Sequence, residues 1–109
     1  AEIARISQHR GVTFELIPLS RTGAVTCAPR LRTALSGAHA HGGLPVRELM
    51  SGAGHDAVMF GGLCDVGMLF VRCGNGGVSH SPLETVTAED VDVATRVLIE
   101  MVEKFRPGA

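Results

Sequence analysis

The chain of 109 residues lacks both tryptophan and tyrosine, and aromatic residues make up only 4% of it. It also lacks a C-x-x-C pair, since its three cysteines are Cys27, Cys64 and Cys73. An odd, widely spaced set of this kind disfavours a disulfide framework or a zinc knuckle. We therefore expect buried, reduced thiols in a cytoplasmic protein, with too little aromatic core for an independent fold.

Long apolar runs and blocks of basic charge are absent as well. No segment approaches the roughly 20 apolar residues that a membrane-spanning helix needs, and no basic-then-apolar segment opens the chain. The formal net charge of −1 disfavours binding to nucleic acid or to acidic lipid. A hydrophobic content of 45% excludes a disordered tail. The composition predicts a soluble globular chain, one domain at most, without nucleic-acid or membrane partners.

Four segments have the apolar spacing or the end residues of helices: residues 1–10, 29–41, 55–63 and 88–106. In the last of them, Thr87 is a natural N-cap, Asp90 completes a capping-box-like start, and Pro107-Gly108 ends the helix. Its apolar face is predicted to comprise Val91, Ala94, Leu98, Met101 and Phe105, flanked by Val97 and Val102.

Three further segments, residues 12–17, 45–50 and 65–71, are predicted to be β-strands. Residues 65–71 form a nearly continuous apolar run, which is typical of a strand buried on both faces. From residue 28 onward the order is helix, strand, helix, strand, helix, which indicates an α/β fold with parallel strands. Two core strands make a poor sheet, so we expect further strands from elsewhere.

Five histidines are candidate site residues: His9, His39, His41, His55 and His80. His39 and His41 are two residues apart on a predicted helix, so they point to different faces and cannot chelate one metal ion. For these two and for His9, a solvent-exposed helix end is the favoured interpretation.

His80 lies in a glycine-rich loop, residues 74–84, that directly follows the most apolar predicted strand. Ligands of open α/β sheets bind at such strand ends. A neutral imidazole there is a good metal ligand, and Glu84 is near enough in sequence to orient a ring N–H. The pattern alone favours the alternative, in which His80 only hydrogen-bonds within a tight loop.

The segment Ser-Gly-Ala-Gly-His-Asp-Ala, residues 51–57, leads into the predicted helix at 55–63. Free N–H groups at a helix start can hold an anion, and His55 and Asp56 could form a hydrogen-bonded pair beneath a site. Equally, Asp56 could serve only to complement the helix dipole.

Together, the 51–57 segment, the apolar strand, the Gly-Gly-Val-Ser-His-Ser-Pro-Leu-Glu loop and the Thr-capped helix resemble one family. They resemble the C-terminal end of the amidase, hydantoinase and carbamoylase branch of the two-metal aminoacylase and carboxypeptidase superfamily. Allantoate amidohydrolases, N-carbamoyl-L-amino-acid hydrolases and beta-ureidopropionases belong to this branch. The resemblance is specific over residues 49–105 and weaker but in register over residues 1–48.

The resemblance implies roles for particular positions. His80 matches the last metal-binding histidine of the family, and Glu84 is a neighbouring pocket residue. The residues that match the loop bringing backbone against the substrate are Gly77, Val78 and Ser79. A catalytic-domain loop bordering the pocket is matched by Gly52, Ala53, Gly54, His55 and Asp56, and no metal role is carried onto His55.

The chemistry implied by the resemblance is two-metal hydrolysis of a linear amide or ureido C–N bond in a small molecule. A metal-bridging water loses a proton to a glutamate and attacks the carbon, and the metals hold the oxyanion. The implied cofactor is a divalent metal ion, which is zinc, manganese or cobalt. The family resemblance also implies a homo-oligomer, formed as a dimer through the lid.

The family's other metal ligands and its substrate-clasping Asn and Arg have no counterpart in these residues. In place of the single domain that the length allows, we therefore expect parts of two domains in a C-terminal fragment that is inactive alone, with residues 1–26 as a remnant of an α+β lid domain. Residues 27–109 would be the closing portion of the catalytic α/β domain. The alternative is a non-catalytic α/β binding or oligomerisation module that retains the family scaffold.

Overall fold

A computed structural model describes residues 2–106, and every regular element within that range is helical. Three α-helices and one short 3₁₀ helix are formed: α1 at Glu2–Arg10, α2 at Pro29–His41, the 3₁₀ helix at Asp56–Phe60, and α3 at Ala88–Lys104. The three α-helices confirm the predicted helical segments. Ala1 and the predicted stop at Pro107-Gly108 lie outside the described residues.

The ends of the helices follow local sequence chemistry. The Thr87 hydroxyl accepts a hydrogen bond from the Asp90 backbone N–H at 3.1 Å, which is the predicted N-cap of α3. At the start of α2, Pro29 occupies the first turn and Ala28 is the N-cap without a side-chain bond. Ala28 instead donates its backbone N–H to the Val66 carbonyl at 2.8 Å, so α2 begins against the 65–71 segment.

The core lies where α2 packs against α3. Leu35 and Ala38 of α2 and Val97 of α3 are the buried apolar residues of the described chain. Leu44, Leu69 and Met101 pack against them while staying partly exposed. Leu35 and Ala38 lie on one face of α2, as expected from the apolar spacing of that segment, whereas the buried side of α3 centres on Val97, a residue predicted only to flank its apolar face.

The predicted strands at residues 12–17, 45–50 and 65–71 form no β-ladder in the structure of residues 2–106. One isolated parallel bridge joins Gly61 to Cys64. A strand is stabilised by hydrogen bonds to a neighbouring strand, and residues 2–106 do not supply such neighbours. The α/β class with parallel strands is therefore not confirmed, and the described part of the chain is helical with irregular connections.

The chain is open for its size. It exposes 9171 Å² of surface, whereas a compact monomer of similar mass exposes about 5,800 Å². Its radius of gyration is 19.4 Å, against about 13 Å for a compact domain of this length. Large apolar side chains contribute to this surface, and Leu19 and Met50 are 92% and 94% exposed. The three-residue core accounts for little of the 45% hydrophobic content.

Two smaller predictions also need correction. The helix expected at residues 55–63 is the five-residue 3₁₀ helix Asp56–Phe60, because the glycines at 61 and 62 end it. The cysteines are free thiols, as expected, but Cys64 is exposed and Cys27 and Cys73 are half-buried. The thiols are not buried because few residues of this open chain are.

Candidate functional site

The loop that carries His80 is closed at its base by backbone hydrogen bonding. The Gly74 N–H donates to the Thr85 carbonyl at 2.8 Å, and the Gly77 N–H donates to the Gly74 carbonyl at 3.0 Å. The Asn75 side-chain amide reaches across the loop and donates to the Leu83 carbonyl at 2.5 Å. The segment from Gly74 to Thr85 (the 74–85 loop) is thus a self-closed loop between the 65–71 segment and α3.

Four residues of the 74–85 loop have left-handed backbone conformations. Gly76 and Gly77 have φ angles of 73° and 79°, which glycine adopts without a Cβ penalty. Asn75 and His80 have φ angles of 50° and 55°, which are uncommon outside glycine. Gly76 and Gly77 therefore turn this loop, and His80 is held at a backbone angle that is uncommon for a residue with a side chain.

A tight turn follows His80 and brings Glu84 back to it. The Glu84 N–H donates to the Ser81 carbonyl at 2.9 Å, closing a turn with Pro82 in its second position. The Glu84 carboxylate then accepts a hydrogen bond from the His80 backbone N–H at 3.1 Å. Glu84 was expected to orient the imidazole ring, but its contact is with the main chain of His80.

The His80 side chain is exposed, and no hydrogen bond joins its ring to another group among residues 2–106. Of the predicted substrate-contacting residues, Gly77 and Ser79 are exposed and Val78 is half-buried. The 74–85 loop therefore presents an exposed imidazole whose ring nitrogens make no hydrogen bond within residues 2–106. The metal and substrate roles of these residues stay predictions.

The end of the 65–71 segment and the start of α3 are joined beside the 74–85 loop. Arg72 forms an ion pair with Asp90, in which the nitrogen–oxygen distance is 2.6 Å. Asp90 also accepts a hydrogen bond from the Thr87 hydroxyl at 2.6 Å. The Thr87 bond, followed by the Arg72 contacts, holds the pKa of the Asp90 carboxyl below its ordinary value.

The second predicted pocket loop, residues 52–56, forms a local turn in which all five residues are exposed. The Ser51 hydroxyl donates to the Ala53 carbonyl at 3.0 Å and lies 3.4 Å from Nε2 of His55. His55 thus contacts Ser51, and the predicted His55–Asp56 hydrogen bond is not formed. The helix that begins at Asp56 is too short to make an anion site at its N-terminus.

Two other histidines lie at the C-terminal end of α2, as predicted for His39 and His41. His39 hydrogen-bonds through Nδ1 to the Leu35 carbonyl at 2.9 Å, and His41 contacts the Glu100 carboxylate at 2.8 Å. Across the described range 2–106, no group of three or more His, Cys, Asp and Glu side chains is placed to hold a metal ion. These residues therefore fit a single metal ligand at His80 and not a complete metal site.

Clefts lie elsewhere on the chain. One of about 140 Å³ lies beside α2 and is lined in part by Arg32, Glu48 and His39. A second of about 500 Å³ lies at the N-terminus of α2. His80 lines neither of them, so these two clefts do not enclose the candidate ligand.

Two residues that shape the site, Asn75 and Arg72, had no predicted role. Asn75 precedes a Gly-Gly pair, and asparagine tolerates the left-handed region, so its position in the turn was detectable. Arg72 lies 18 residues from its partner Asp90 and has no local sequence signature. Its ion pair depends on how the 65–71 segment lies against α3.

Comparison with known proteins gives matches over most of the chain. Residues 6–104 match the family described as Peptidase family M20/M25/M40. An N-carbamoyl-L-amino-acid amidohydrolase from Pseudomonas sp. (strain NS671) is 33% identical over 103 residues, covering 94% of this chain and 25% of that protein. Allantoate deiminase 2 of Glycine max is 40% identical over 113 residues, covering 95% of this chain and 23% of that protein.

A third relative, the allantoate amidohydrolase of Bacillus subtilis (strain 168), is 35% identical over 105 residues, which cover 96% of this chain and 25% of that protein. The chain thus spans about a quarter of the length of these curated relatives. No solved structure matches the chain.

Proposed function

The chain belongs to peptidase family M20/M25/M40, and we propose that it forms the C-terminal part of a metal-dependent amidohydrolase. The proposed reaction is hydrolysis of a linear amide or ureido C–N bond in an N-carbamoyl amino acid or an allantoate-like molecule. Relatives named for these two substrate classes match more than 90% of the chain. The chain alone is proposed to be inactive, because residues 2–106 supply one candidate metal ligand.

The observation that carries the proposal is the closed 74–85 loop with His80 exposed on it. The loop holds the His80 main chain by the Glu84 carboxylate and leaves the imidazole without a hydrogen-bond partner among residues 2–106. An imidazole with a free nitrogen on a constrained loop is suited to complete a metal site whose other ligands lie elsewhere. Gly77, Val78 and Ser79 lie next to it and are proposed to contact the substrate.

The domain division is part of the proposal. Residues 1–26 would belong to a lid domain, and residues 27–109 to the catalytic α/β domain. Its support is that α2 and α3 contact each other, whereas α1 makes no comparable contact with another described element. The segments at 45–50 and 65–71 are proposed to become parallel strands when neighbouring strands are present.

The family is generally metal-dependent, and we propose zinc, manganese or cobalt as the ion. A divalent ion of this kind supplies Lewis acidity toward the scissile carbonyl and an activated water. The Gly52–Asp56 loop is proposed to border the substrate pocket without ligating the metal. A cytoplasmic location and a dimer complete the proposal, supported by the three free cysteines and by the exposed apolar residues of the 12–17 segment.

A chimera tests this function directly. The segment of the Bacillus subtilis allantoate amidohydrolase that aligns with this chain is replaced by residues 1–109, and hydrolysis of allantoate and bound metal are measured. We expect an active, metal-containing chimera. The same replacement in the Pseudomonas relative tests hydrolysis of N-carbamoyl amino acids.

His80→Ala and His9→Ala are the matched variants in each chimera. Loss of a metal ligand should lower activity by roughly 100-fold or more and reduce the bound metal. His9, on the exposed face of α1, should tolerate the change. Folded chimeras that hydrolyse neither substrate, or a His80→Ala chimera as active as its parent, would contradict the proposal.

A non-catalytic binding or oligomerisation module is the second candidate, and the large exposed apolar surface favours it. Phe14, Leu16 and Ile17 are each at least half exposed, as is suited to contact with another chain. Light scattering of the purified chain, with and without Leu16→Asp, measures whether this segment mediates self-association. Inactive chimeras together with a stable oligomer that Leu16→Asp dissociates would favour the module.

A further inference from the structure

We propose that Glu84 is a positioning residue for His80, which it holds through the main chain and not through the imidazole ring. The inference rests on the proposed function, in which His80 ligates a metal ion. Its physical content concerns the 74–85 loop alone and can be measured without a metal.

His80 has an uncommon backbone angle. Its φ of 55° lies in the left-handed region, where the Cβ of an L-residue is close to the following carbonyl oxygen. Histidine occurs there more often than most non-glycine residues, but the conformation is still uncommon, so the residue type alone does not hold His80 in it. An external constraint is required, and a strained backbone at a candidate ligand is an indication of function.

The constraint is the bond from the His80 N–H to Oε2 of Glu84 at 3.1 Å. A carboxylate acceptor makes this bond stronger than one between neutral groups. Because the bond spans four residues, it closes a ring of main chain that includes the strained angle.

The Glu84 side chain is itself directed by the turn in front of it. The Glu84 N–H donates to the Ser81 carbonyl at 2.9 Å, and the Leu83 N–H donates to the Ser81 hydroxyl at 3.2 Å. Pro82 pre-sets the backbone angle of the turn. The turn therefore places the Glu84 carboxylate beside the His80 N–H.

The other side of the loop holds this turn in place. Asn75 donates to the Leu83 carbonyl at 2.5 Å, and Gly74 donates to the Thr85 carbonyl at 2.8 Å. Hydrogen bonds thus run without interruption from the base of the loop through Leu83 and Glu84 to the His80 amide.

The consequence for His80 is a fixed side-chain direction with a free ring. The main chain determines where Cβ points, so a fixed φ restricts the space that the imidazole can reach. A carboxylate on the ring would occupy one ring nitrogen, whereas a carboxylate on the amide leaves both accessible. Glu84 therefore restricts the imidazole without competing for a metal.

The test is NMR of the full chain labelled with ¹³C and ¹⁵N, comparing wild type with Glu84→Ala and Glu84→Gln. In Glu84→Ala we expect amide exchange of His80 to accelerate roughly ten-fold, as for loss of one charge-assisted hydrogen bond. The strong intraresidue HN–Hα NOE that marks a positive φ should weaken. Glu84→Gln keeps an acceptor oxygen and should restore most of both signatures.

Two controls separate positioning from a general loss of structure. Glu15→Ala removes the same charge outside the loop and should leave His80 unchanged, and the Val97 amide in α3 should stay protected in every variant. The ¹⁵N shifts of the His80 ring should be the same in all of them. Unchanged exchange and NOE in Glu84→Ala, or an effect confined to the ring shifts, would overturn the proposal.

This outcome is separable from that of the proposed function. A chimera that is folded but inactive, in a chain whose His80 amide depends on Glu84, would contradict the catalytic role of the loop and leave the backbone constraint standing. An active chimera whose His80 amide does not depend on Glu84 would support the catalytic role of the loop and contradict the positioning role of Glu84.

Discussion

The Arg72 guanidinium places both Nε and Nη2 2.6 Å from the same carboxylate oxygen of Asp90. Arg72 lies two residues before the base of the 74–85 loop, and Asp90 lies in the first turn of α3. The Asp90 side chain is 10% exposed and that of Arg72 is 80% exposed, so the guanidinium lies over a shielded carboxylate. This contact joins the chain entering the His80 loop to the helix that follows it.

Acid should weaken the start of α3 through Asp90. Its pKa lies below the ordinary value of about 3.9 because of the Thr87 hydroxyl and Arg72, so folding stabilises the charged form. The resulting stability is complete above about pH 4 and is lost as the pH falls through the lowered pKa. Glu2 and Glu100 also have lowered pKa values, so helicity is compared between wild type and Asp90→Asn from pH 7 to pH 2. The two curves should converge below pH 4, and a constant gap would refute this assignment.

Removing the Thr87 hydroxyl should destabilise α3 by about 1 kcal/mol, the usual effect of losing an N-cap. Thr87 accepts the Asp90 N–H and donates to the Asp90 carboxylate, so Thr87→Ala loses both bonds. Thr87→Ser retains the hydroxyl, so its free energy of unfolding should fall much less. The measurement is the free energy of unfolding from urea titrations followed by far-ultraviolet circular dichroism. Equal losses in the two variants would show that the hydroxyl contributes little.

The α-helices were predictable because their determinants are local. Thr87 and Asp90 lie three residues apart, and Leu35 and Ala38 lie on one face of α2, so short windows of sequence carry the information. Val97 shows the limit of this reasoning. The periodicity of α3 defines an apolar face, but only the approach of α2 determines which part of that face is buried.

The strands were not predictable in the same way, because a strand requires a partner that is distant in sequence. The apolar run at residues 65–71 has the composition of a buried strand, yet within residues 2–106 the one backbone bond that joins it to another segment is from Ala28 to Val66. Hydrogen-bond partners and apolar cover have to be present before a ladder forms. Composition indicates that this segment tends to form a strand, but it does not indicate whether neighbouring strands are present.

The candidate site was predictable in position and not in its internal bonding. Glycine and proline content located the loop around His80, and sequence proximity suggested that Glu84 contacts it. The atom contacted depends on the left-handed backbone of His80, which histidine as a residue type does not indicate. The positive φ of His80 and the bond from its N–H to Glu84 occur together, and both are properties of the folded loop.

A methyl group at Gly74 should open the base of the 74–85 loop. A Cβ placed there would lie 2.5 Å from Oγ1 of Thr85, so Gly74→Ala should cost about 1–3 kcal/mol in local stability. Combining it with Thr85→Ala removes the clashing oxygen and should recover most of the loss. Hydrogen exchange of the Gly74 amide, which bonds to the Thr85 carbonyl, reports the opening. Gly52→Ala meets no atom within 4 Å and is the control. If Gly74→Ala changes amide exchange no more than Gly52→Ala does, the close approach to Thr85 does not determine the stability of the loop base.

Two valines on α3 offer a matched test of where the core lies. Val97 is 4% exposed against α2, whereas Val102 on the same helix is 63% exposed. Both changes to alanine replace a β-branched residue by a better helix former, so the effect of helix propensity is similar in the two variants. Val97→Ala should therefore lower the free energy of unfolding by about 2 kcal/mol through lost packing. Val102→Ala should change it by no more than about 0.5 kcal/mol. Equal effects would mean that the α2–α3 contact does not carry the stability of the chain, whereas a larger loss at Val97 would localise it to that contact.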